Sequence, residues 1–509
     1  MTRKLCLLTG AGALLAACAW LRADAPPPSK NNPHPEPNPA ADYEWQLPDE
    51  SLMTPFKDRK PILFVNRSQN LKEWEALPAF WNPGTEKAVE PRTGRAVERE
   101  CVRVKVPLGL TQNPPVPAEN PVTVAKWALG KQLYYDRILS SDGRVACASC
   151  HDPKKGFTDR SPFSTGINNL KGGMSAPTVF NTAYQPFQFW DGRASSLEDQ
   201  SQGPVMNPVE MFSGDGHAWN AVVRRVRARP DYVRQFAAVF GTPPTRDSIA
   251  KAIATYERTV LSGNSVHDRA EVAMRKRVEE EETGKFELSA KDYEAVLKAA
   301  FAAKDANALE SLGLDPAKDA ARAPETAKAI DRGRAVFFGK ARCNSCHAGD
   351  NFTDYQFHNL GVGVKDGQVP PGRYGALPTG AKDPALVGAF KTPTLRHLLG
   401  TAPYMHDGSE DTLAKVVDFY DKGGNANEYL DNKMRDYEAE KEYLLSAGNH
   451  TRYKGPPVAL LGKSKTPVVP LKLNLTKEEK QDLVLFLRAL QGDPADSIVA
   501  DPEKAVSLK

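Results

Sequence analysis

A chain of 509 residues, 40% hydrophobic and 26% charged, is long enough for two or three domains, each with its own core. The composition is ordinary for a globular protein apart from 41 prolines. A formal charge of +4, which falls by two when Arg3 and Lys4 leave with an N-terminal signal, gives no basic surplus for binding nucleic acid.

The chain opens with Arg3-Lys4 and an apolar run from Leu5 to Leu21, the pattern of an export signal. Two cleavage readings compete. Leu15-Ala16-Ala17-Cys18 resembles a bacterial lipobox, which would end the signal at 17 and put a lipid on Cys18. Ala23-Asp24-Ala25 is an A-x-A site that would end it at 25 and release a soluble protein. The run is short for a retained membrane helix and is interrupted by Gly and Cys, and no later run is apolar enough to span a bilayer. Either cleavage predicts an exported, periplasmic protein. Residues 26–48 carry eight prolines and read as a stiff spacer, suited to holding a domain off a membrane. Residues 49–120 form a small N-terminal extension, with short strands expected at Pro61–Val65 and Val102–Val106 and the aromatics Trp74, Phe80 and Trp81 between them. No chemistry is assigned to it.

Val124–Asp136 reads as a helix that leads through Ser140-Ser141-Asp142-Gly143 into Cys147-Ala148-Ser149-Cys150-His151. Two cysteines three apart with a histidine directly after them are the spacing for covalent attachment of a c-type haem. Each thiol adds across one vinyl group, and the tethers hold the porphyrin so that the histidine can ligate the iron. A second copy, Cys343-Asn344-Ser345-Cys346-His347, implies two such haems. Of the seven cysteines, Cys6 and Cys18 sit in the signal and four in these motifs, so Cys101 is left as a buried thiol.

Residues 121–262 make an N-terminal haem domain. Within it Ser195-x-x-Glu198 predicts a capped helix from about Ser196 that carries Gln200, and Ala218–Arg229 and Asp247–Leu261 are amphipathic helices. Residues 263–325 read as an insertion, a solvated helical hairpin with Glu279–Glu282 beside Arg275-Lys276-Arg277 and a helix capped at Ser289-x-x-Asp292. Residues 326–492 make a C-terminal haem domain, with helices at Ala327–Phe338, Thr412–Tyr420 and from Thr476-x-x-Glu479 to Gly492. A loop-rich insertion fills 427–470, and 493–509 is a tail. The plan of helix, C-x-x-C-H, long loops and helix occurs twice, so the fold class is mainly α, with two cytochrome c-like domains in tandem.

Between and after the motifs lie Phe189-Trp190-Asp191-Gly192-Arg193-Ala194, Gln200, Gly203-Pro204 and Glu210-Met211. Further on come Phe357-His358-Asn359-Leu360-Gly361, Thr392-Pro393-Thr394-Leu395-Arg396 and Ala402-Pro403-Tyr404-Met405-His406-Asp407-Gly408. In this order the set resembles the bacterial di-haem cytochrome c peroxidases and their MauG-type relatives, over about residues 121–492. The resemblance implies that the haem on Cys147 and Cys150, with His151 proximal, is the peroxide site. It implies that Glu210 is the acid–base group that moves a proton between the peroxide oxygens, that Gln200 and Pro204 shape the pocket, and that Trp190 relays electrons between the haems. Considered alone, a Glu before Met is usually a solvated carboxylate and a Trp in an apolar stretch is usually core.

Three positions depart from the family pattern or vary within it. Where family members that need reductive activation carry a distal His after a Gly, this chain has Gly166-Ile167, and Ile cannot ligate iron, so the first haem is expected to be open. The sixth-ligand position of the second haem falls on Tyr420, as in MauG-type proteins, where other members use Met. A phenolate stabilises oxidised iron and lowers its potential, whereas a thioether raises it. Leu413, Val416, Val417 and Tyr420 also share helical spacing, which suits plain core, and Met405 and Met434 are rival ligands. For the calcium that family members bind, Thr401 and Pro403 match, but Ser175 stands where the family has Asn.

The leading expectation is a peroxidase reducing hydrogen peroxide to water with electrons from a small cytochrome c or cupredoxin. The alternative is a MauG-type oxidase acting on residues of a protein substrate, a reading that the open haem and Tyr420 favour. An electron carrier without peroxide chemistry is the third, and Glu210 and Ile167 argue against it, because a carrier gains nothing from an open site.

Overall fold

The computed structural model describes residues 59–506 apart from 90–93, 215–216, 282–284, 447–452 and 463–464. The signal, the Pro-rich spacer and the first residues of the extension lie outside the described residues. The protein is mainly helical, with its longest strands in its N-terminal part. No helix among the described residues is long and apolar enough to cross a membrane.

The extension forms a three-stranded sheet in the order β1-β3-β2, with β1 at Ile62–Val65, β2 at Trp81–Val89 and β3 at Ala96–Lys105. The two expected strands are β1 and the end of β3, paired in parallel with Ile62 opposite Val102. The sequence reading missed β2, because Pro83, Gly84 and the charged Glu86-Lys87 break the apolar alternation that marks a strand. It pairs antiparallel to β3, with Trp81 opposite Val104 and Thr85 opposite Glu100. Val102, Val104 and Val106 are fully buried, and Cys101 is a buried thiol pushed up by that burial. The backbone N–H of Val124 donates to the Lys60 carbonyl, which ties the sheet to the first long helix.

Two hydrophobic cores follow, and each is built on the same crossing. In the first, the Val124–Tyr135 helix packs on the Arg246–Glu257 helix. In the second, Ala323–Phe338 packs on Lys477–Ala489. A glycine sits at each crossing. A Cβ on Gly130 would run into the Ala252 carbonyl, and one on Gly333 into the Asp482 carbonyl, so backbone meets backbone at both points. The helix boundaries follow the capping chemistry. Thr123, Thr245, Thr412 and Thr476 each accept a backbone N–H at a helix start.

One cap shifts by a residue from expectation. Ser196, not Ser195, caps the short Leu197–Gln200 helix, with Asp199 folding back on the Ser195 N–H. Glu198 is thereby freed to pair with Arg258 and accept from Asn120.

The hairpin expected in 263–325 is present as the helices Val266–Glu281 and Ala290–Ala303, but it is not simply solvated. Its inner face carries Val266, Ala270, Tyr293 and Leu297 into the second core, and the buried His267 bonds to the Tyr293 hydroxyl at 2.7 Å. The described part of the tail, residues 493–506, packs on the fold as well. The Lys131 ammonium donates to the carbonyls of Ile498, Asp501 (2.5 Å) and Lys504 (2.6 Å), while the Tyr135 and Tyr256 hydroxyls donate to Ala500 and Val499. The last described residues therefore close the first core, not the second.

One buried ion pair joins four segments of the chain. Arg396 and Asp268 are 1% and 2% exposed and meet through two bonds, at 2.7 and 3.0 Å. Arg396 also donates to the carbonyls of Gly109 (2.9 Å) and Asp350 (2.6 Å), and Asp268 accepts from Ser265. Each nitrogen of the guanidinium has an acceptor, which helps keep two charges inside a protein. Burial alone would push the Asp268 carboxyl up, but Arg396 and Ser265 outweigh it and hold it below the usual range. This contribution to stability is present above the unfolded carboxyl value of about 3.9 and is lost as pH falls through the lower folded value. Asp268→Asn leaves the guanidinium buried and unpaired. It should cost about 3–5 kcal/mol of stability, read as a fall in the thermal midpoint at neutral pH that narrows in acid.

Candidate functional site

Cys147–Cys150 forms one helical turn and Cys343–Ser345 a 3-10 turn. In each the histidine N–H donates to the carbonyl of the first cysteine, His151 to Cys147 and His347 to Cys343. The two imidazoles are oriented by the same device. His151 Nδ1 lies 3.2 Å from the Phe157 carbonyl and His347 Nδ1 2.8 Å from the Phe352 carbonyl. Both phenylalanines have left-handed backbone, with φ of 58° and 51°, which turns their carbonyls back onto the rings. A ring whose Nδ1–H is spent on a carbonyl presents Nε2 as its free lone pair, the nitrogen a metal needs. Burial also holds both imidazoles neutral, pushing His151 down and His347 down to about 4.

Both motifs open on one cavity of about 620 Å³ with a largely apolar lining. Burial pushes the Cys150 thiol up to about 11 and the Cys343 thiol up to about 12, as expected of sulfurs facing an apolar space. The donor set fits c-type haem twice over: two thiols, one oriented neutral imidazole and an apolar enclosure at each motif.

Gln200, Pro204 and Glu210 all line the cavity together with Cys150 and His151. Glu210 is half-buried, and burial pushes its carboxyl up, against the pull of Arg193 and a 2.5 Å bond from Asn207 Nδ2. Of these neighbours, Asn207 was missed in the sequence, and Arg193 was seen there only as part of the Phe189–Ala194 motif, without a role. Arg193 packs 3.5 Å over the Phe189 ring and pairs with Asp191. Ile167 is fully buried, and its side chain belongs to the first core while its N–H donates to the Glu210 carbonyl. The residue at the family's ligand position thus holds the acid's backbone in place. Glu257 reaches the same cavity, and burial pushes its carboxyl up to about 8.

Trp190 lies where the two halves meet. Its indole N–H donates to Ser175 O at 2.9 Å, its carbonyl accepts from Lys391 N, and its ring is 6.4 Å from His406, which stacks on Phe390 at 3.6 Å.

Around the second motif, Tyr420 lines the cavity with Val416 and Val417 from one helix face. Burial and the neighbouring Cys346 and Cys343 push its phenol well up. Met405 and Met434 line the cavity too. A charged cluster flanks the motif that the sequence reading did not find. His358 Nδ1 lies 2.7 Å from Asp431 and Nε2 3.0 Å from Asp354, and Lys433 reaches Asp354, the Ser345 carbonyl and Cys346. Burial opposes charge on His358, but Asp431, Cys346 and Asp354 outweigh it and push it up to about 10. The cluster was hidden because its members are spread over 80 residues of chain.

Ser175, Thr401 and Pro403 line the cavity as well. The Ser175 hydroxyl donates to the Met405 carbonyl at 3.0 Å and the Thr401 hydroxyl to Leu398 at 3.0 Å. They bring no carboxylate of their own, so a calcium ion there would rest on carbonyl and hydroxyl oxygens.

A cavity entered by two oriented imidazoles, each with its own thiol pair, defines a two-centre c-type haem oxidoreductase. Comparison with known proteins agrees. Residues 124–277 match the model of the di-haem cytochrome c peroxidase family. The methylamine utilization protein MauG of Methylorubrum extorquens is 31% identical over 405 residues, covering 79% of this chain and 88% of that one. The cytochrome-c peroxidase IdrP1 of Pseudomonas sp. strain SCT is 32% identical over 402 residues, covering 74% and 83%. A crystal structure of a MauG-like protein associated with microbial copper homeostasis superposes with a TM-score of 0.52 at 28% identity, covering 77% and 95%. The chain belongs to the di-haem cytochrome c peroxidase and MauG family, and is an oxidoreductase of the cytochrome c peroxidase type.

Glu210→Gln keeps the shape and the Asn207 contact but cannot exchange a proton. It should slow the reaction with peroxide by about a hundredfold or more and abolish the acidic limb of its pH profile, with haem content unchanged in the optical spectrum.

Proposed function

We propose that the chain reduces hydrogen peroxide to water, taking two electrons and two protons per peroxide, with a small extracytoplasmic cytochrome c or cupredoxin as donor. Residues 121–262 and 326–492 act as two cytochrome c-like haem domains in tandem. Cys147 and Cys150 carry one haem covalently, Cys343 and Cys346 the other, and His151 and His347 ligate the irons. When bound, the haems supply redox-active iron, and the protein does the rest. Glu210, raised by burial and steadied by Asn207, accepts the proton of the near peroxide oxygen and returns it to the far one, so that the O–O bond breaks unevenly. Gln200 and Pro204 limit the space beside it, and Trp190 carries electrons between the halves. The observation that carries this reading is the half-buried carboxyl of Glu210, raised by that burial, on the same cavity as His151.

Tyr420 favours a second reading. An anionic phenolate on the second iron makes it a poor entry point for electrons and a good store of oxidising power, which suits an enzyme that oxidises residues of a protein substrate, as the MauG relatives suggest. Export through residues 1–25, or a lipid on Cys18, places either activity in the periplasm. Ser175, Thr401 and Pro403 offer a calcium ion its oxygens.

Two measurements decide. In the resting ferric enzyme, the electron paramagnetic and optical spectra should show neither a bis-His low-spin signal from the first haem nor a sulfur-to-iron charge-transfer band. The first would refute the open site and the second would make Met the ligand in place of Tyr420. Steady-state turnover with peroxide and reduced cytochrome c or cupredoxin should be fast. A long-lived oxidised state with negligible turnover would select the MauG-type reading, and no response to peroxide would sink both.

A further inference from the structure

From the His151 backbone towards the N-terminal sheet, four oxidisable rings follow one another. The Tyr134 hydroxyl donates to the His151 carbonyl at 2.8 Å. Tyr134 and Tyr256 are 4.8 Å apart between centroids, Tyr256 and Trp127 5.9 Å, and Trp127 and Trp81 5.1 Å. Trp81 is the first residue of β2, and beyond it Phe80 lies at 5.4 Å, half-buried at the sheet margin. Tyr134, Trp127 and Tyr256 are fully buried, and none of the four is placed where it could touch peroxide in the cavity. Phenols and indoles are the ordinary side chains that lose an electron most readily. Electron tunnelling falls off exponentially with distance, so short ring-to-ring steps replace one slow jump.

We infer that Tyr134, Tyr256, Trp127 and Trp81 form a conduit that carries oxidising equivalents from the first haem site to the N-terminal sheet when no donor supplies electrons. The inference rests on the peroxidase reading above. Trp127 can give up an electron and keep its proton, because its indole N–H donates to Thr259 Oγ1 at 2.7 Å, which is no base. Tyr134 and Tyr256 likewise pass the electron with no net proton loss, each O–H staying on its bond to the His151 or Val499 carbonyl. The Lys131 ammonium, 5.3 Å above the Trp127 ring, disfavours positive charge there and makes Trp127 a transit point. Trp81 refills it. After two electrons have left Trp81, a water oxygen adds to the indole and two protons are released, while peroxide takes up the same two electrons and two protons to give two waters. The balance is one tryptophan and one hydrogen peroxide giving one hydroxytryptophan and one water.

Trp219 supplies an internal control. Trp81 and Trp219 are each 6% exposed, and among the described residues neither indole N–H meets an acceptor, but Trp219 is not in the series of rings. The test treats the holoenzyme with peroxide in the absence of donor and maps the added oxygen by peptide mass spectrometry, while the haem absorbance reports the reaction of the site. Trp81 should gain oxygen about tenfold faster than Trp219, the ratio given by a barrier difference of about 1.4 kcal/mol. Trp127→Phe and Tyr256→Phe, which keep a ring but not its oxidisability, should bring Trp81 down to the Trp219 level. Equal labelling of Trp81 and Trp219 in the unaltered protein, or labelling of Trp81 that survives both substitutions, overturns the conduit while a responding haem leaves the peroxidase reading intact. A haem that does not respond to peroxide refutes that reading and the conduit with it.

Discussion

The Arg396–Asp268 pair is the constraint that ties the second haem motif to the rest of the fold. Arg396 closes the Thr392–Arg396 segment beside the second motif, Asp268 opens the helical hairpin, Asp350 belongs to the loop after His347, and Gly109 belongs to the N-terminal extension. Four segments distant in sequence are thus fixed through one guanidinium. A hydrophobic contact could supply as much energy, but it would not fix direction. The fork of Arg396 demands carbonyls and a carboxylate at set angles. The loop it fixes also carries Phe352, whose carbonyl orients the His347 ring.

The two centres share a framework and differ in their surroundings. Each has a glycine-crossed helix pair and a left-handed phenylalanine behind its imidazole. The first faces a carboxyl that burial keeps ready to hold a proton. The second faces the Tyr420 phenol and, on its flank, an imidazolium pinned between two carboxylates. One centre has the Glu210 carboxyl beside it, and the other is flanked by a fixed set of paired charges.

Much of this was legible in the sequence, and the reasons are physical. The C-x-x-C-H motifs, the Thr and Ser caps and the 3.6-residue apolar spacing are local, and local chemistry shows in local sequence. Gln200, Pro204 and Glu210 were legible as a constellation and do line one cavity. What stayed hidden was either long-range or ambiguous. Asp354, Asp431 and Lys433 become a cluster only once the chain has folded over His358. The strand beginning at Trp81 is masked by Pro83 and Gly84, and the charge run at 275–282 gave no hint that the opposite face of the same helix is core. The cap at Ser196 was misplaced by one because two adjacent serines offer equally good starts.

The clasp of the tail on Lys131 has a consequence for the order of assembly. Residues 498–504 complete the first core, although they follow the whole second core in the chain. The N-terminal half therefore cannot close as an independent unit while the chain is still emerging. Its helix pair waits, open at one face, until the C-terminal half has passed. Residues 498–504 are the latch that ends that interval, so the first motif is enclosed only after the second core has been made.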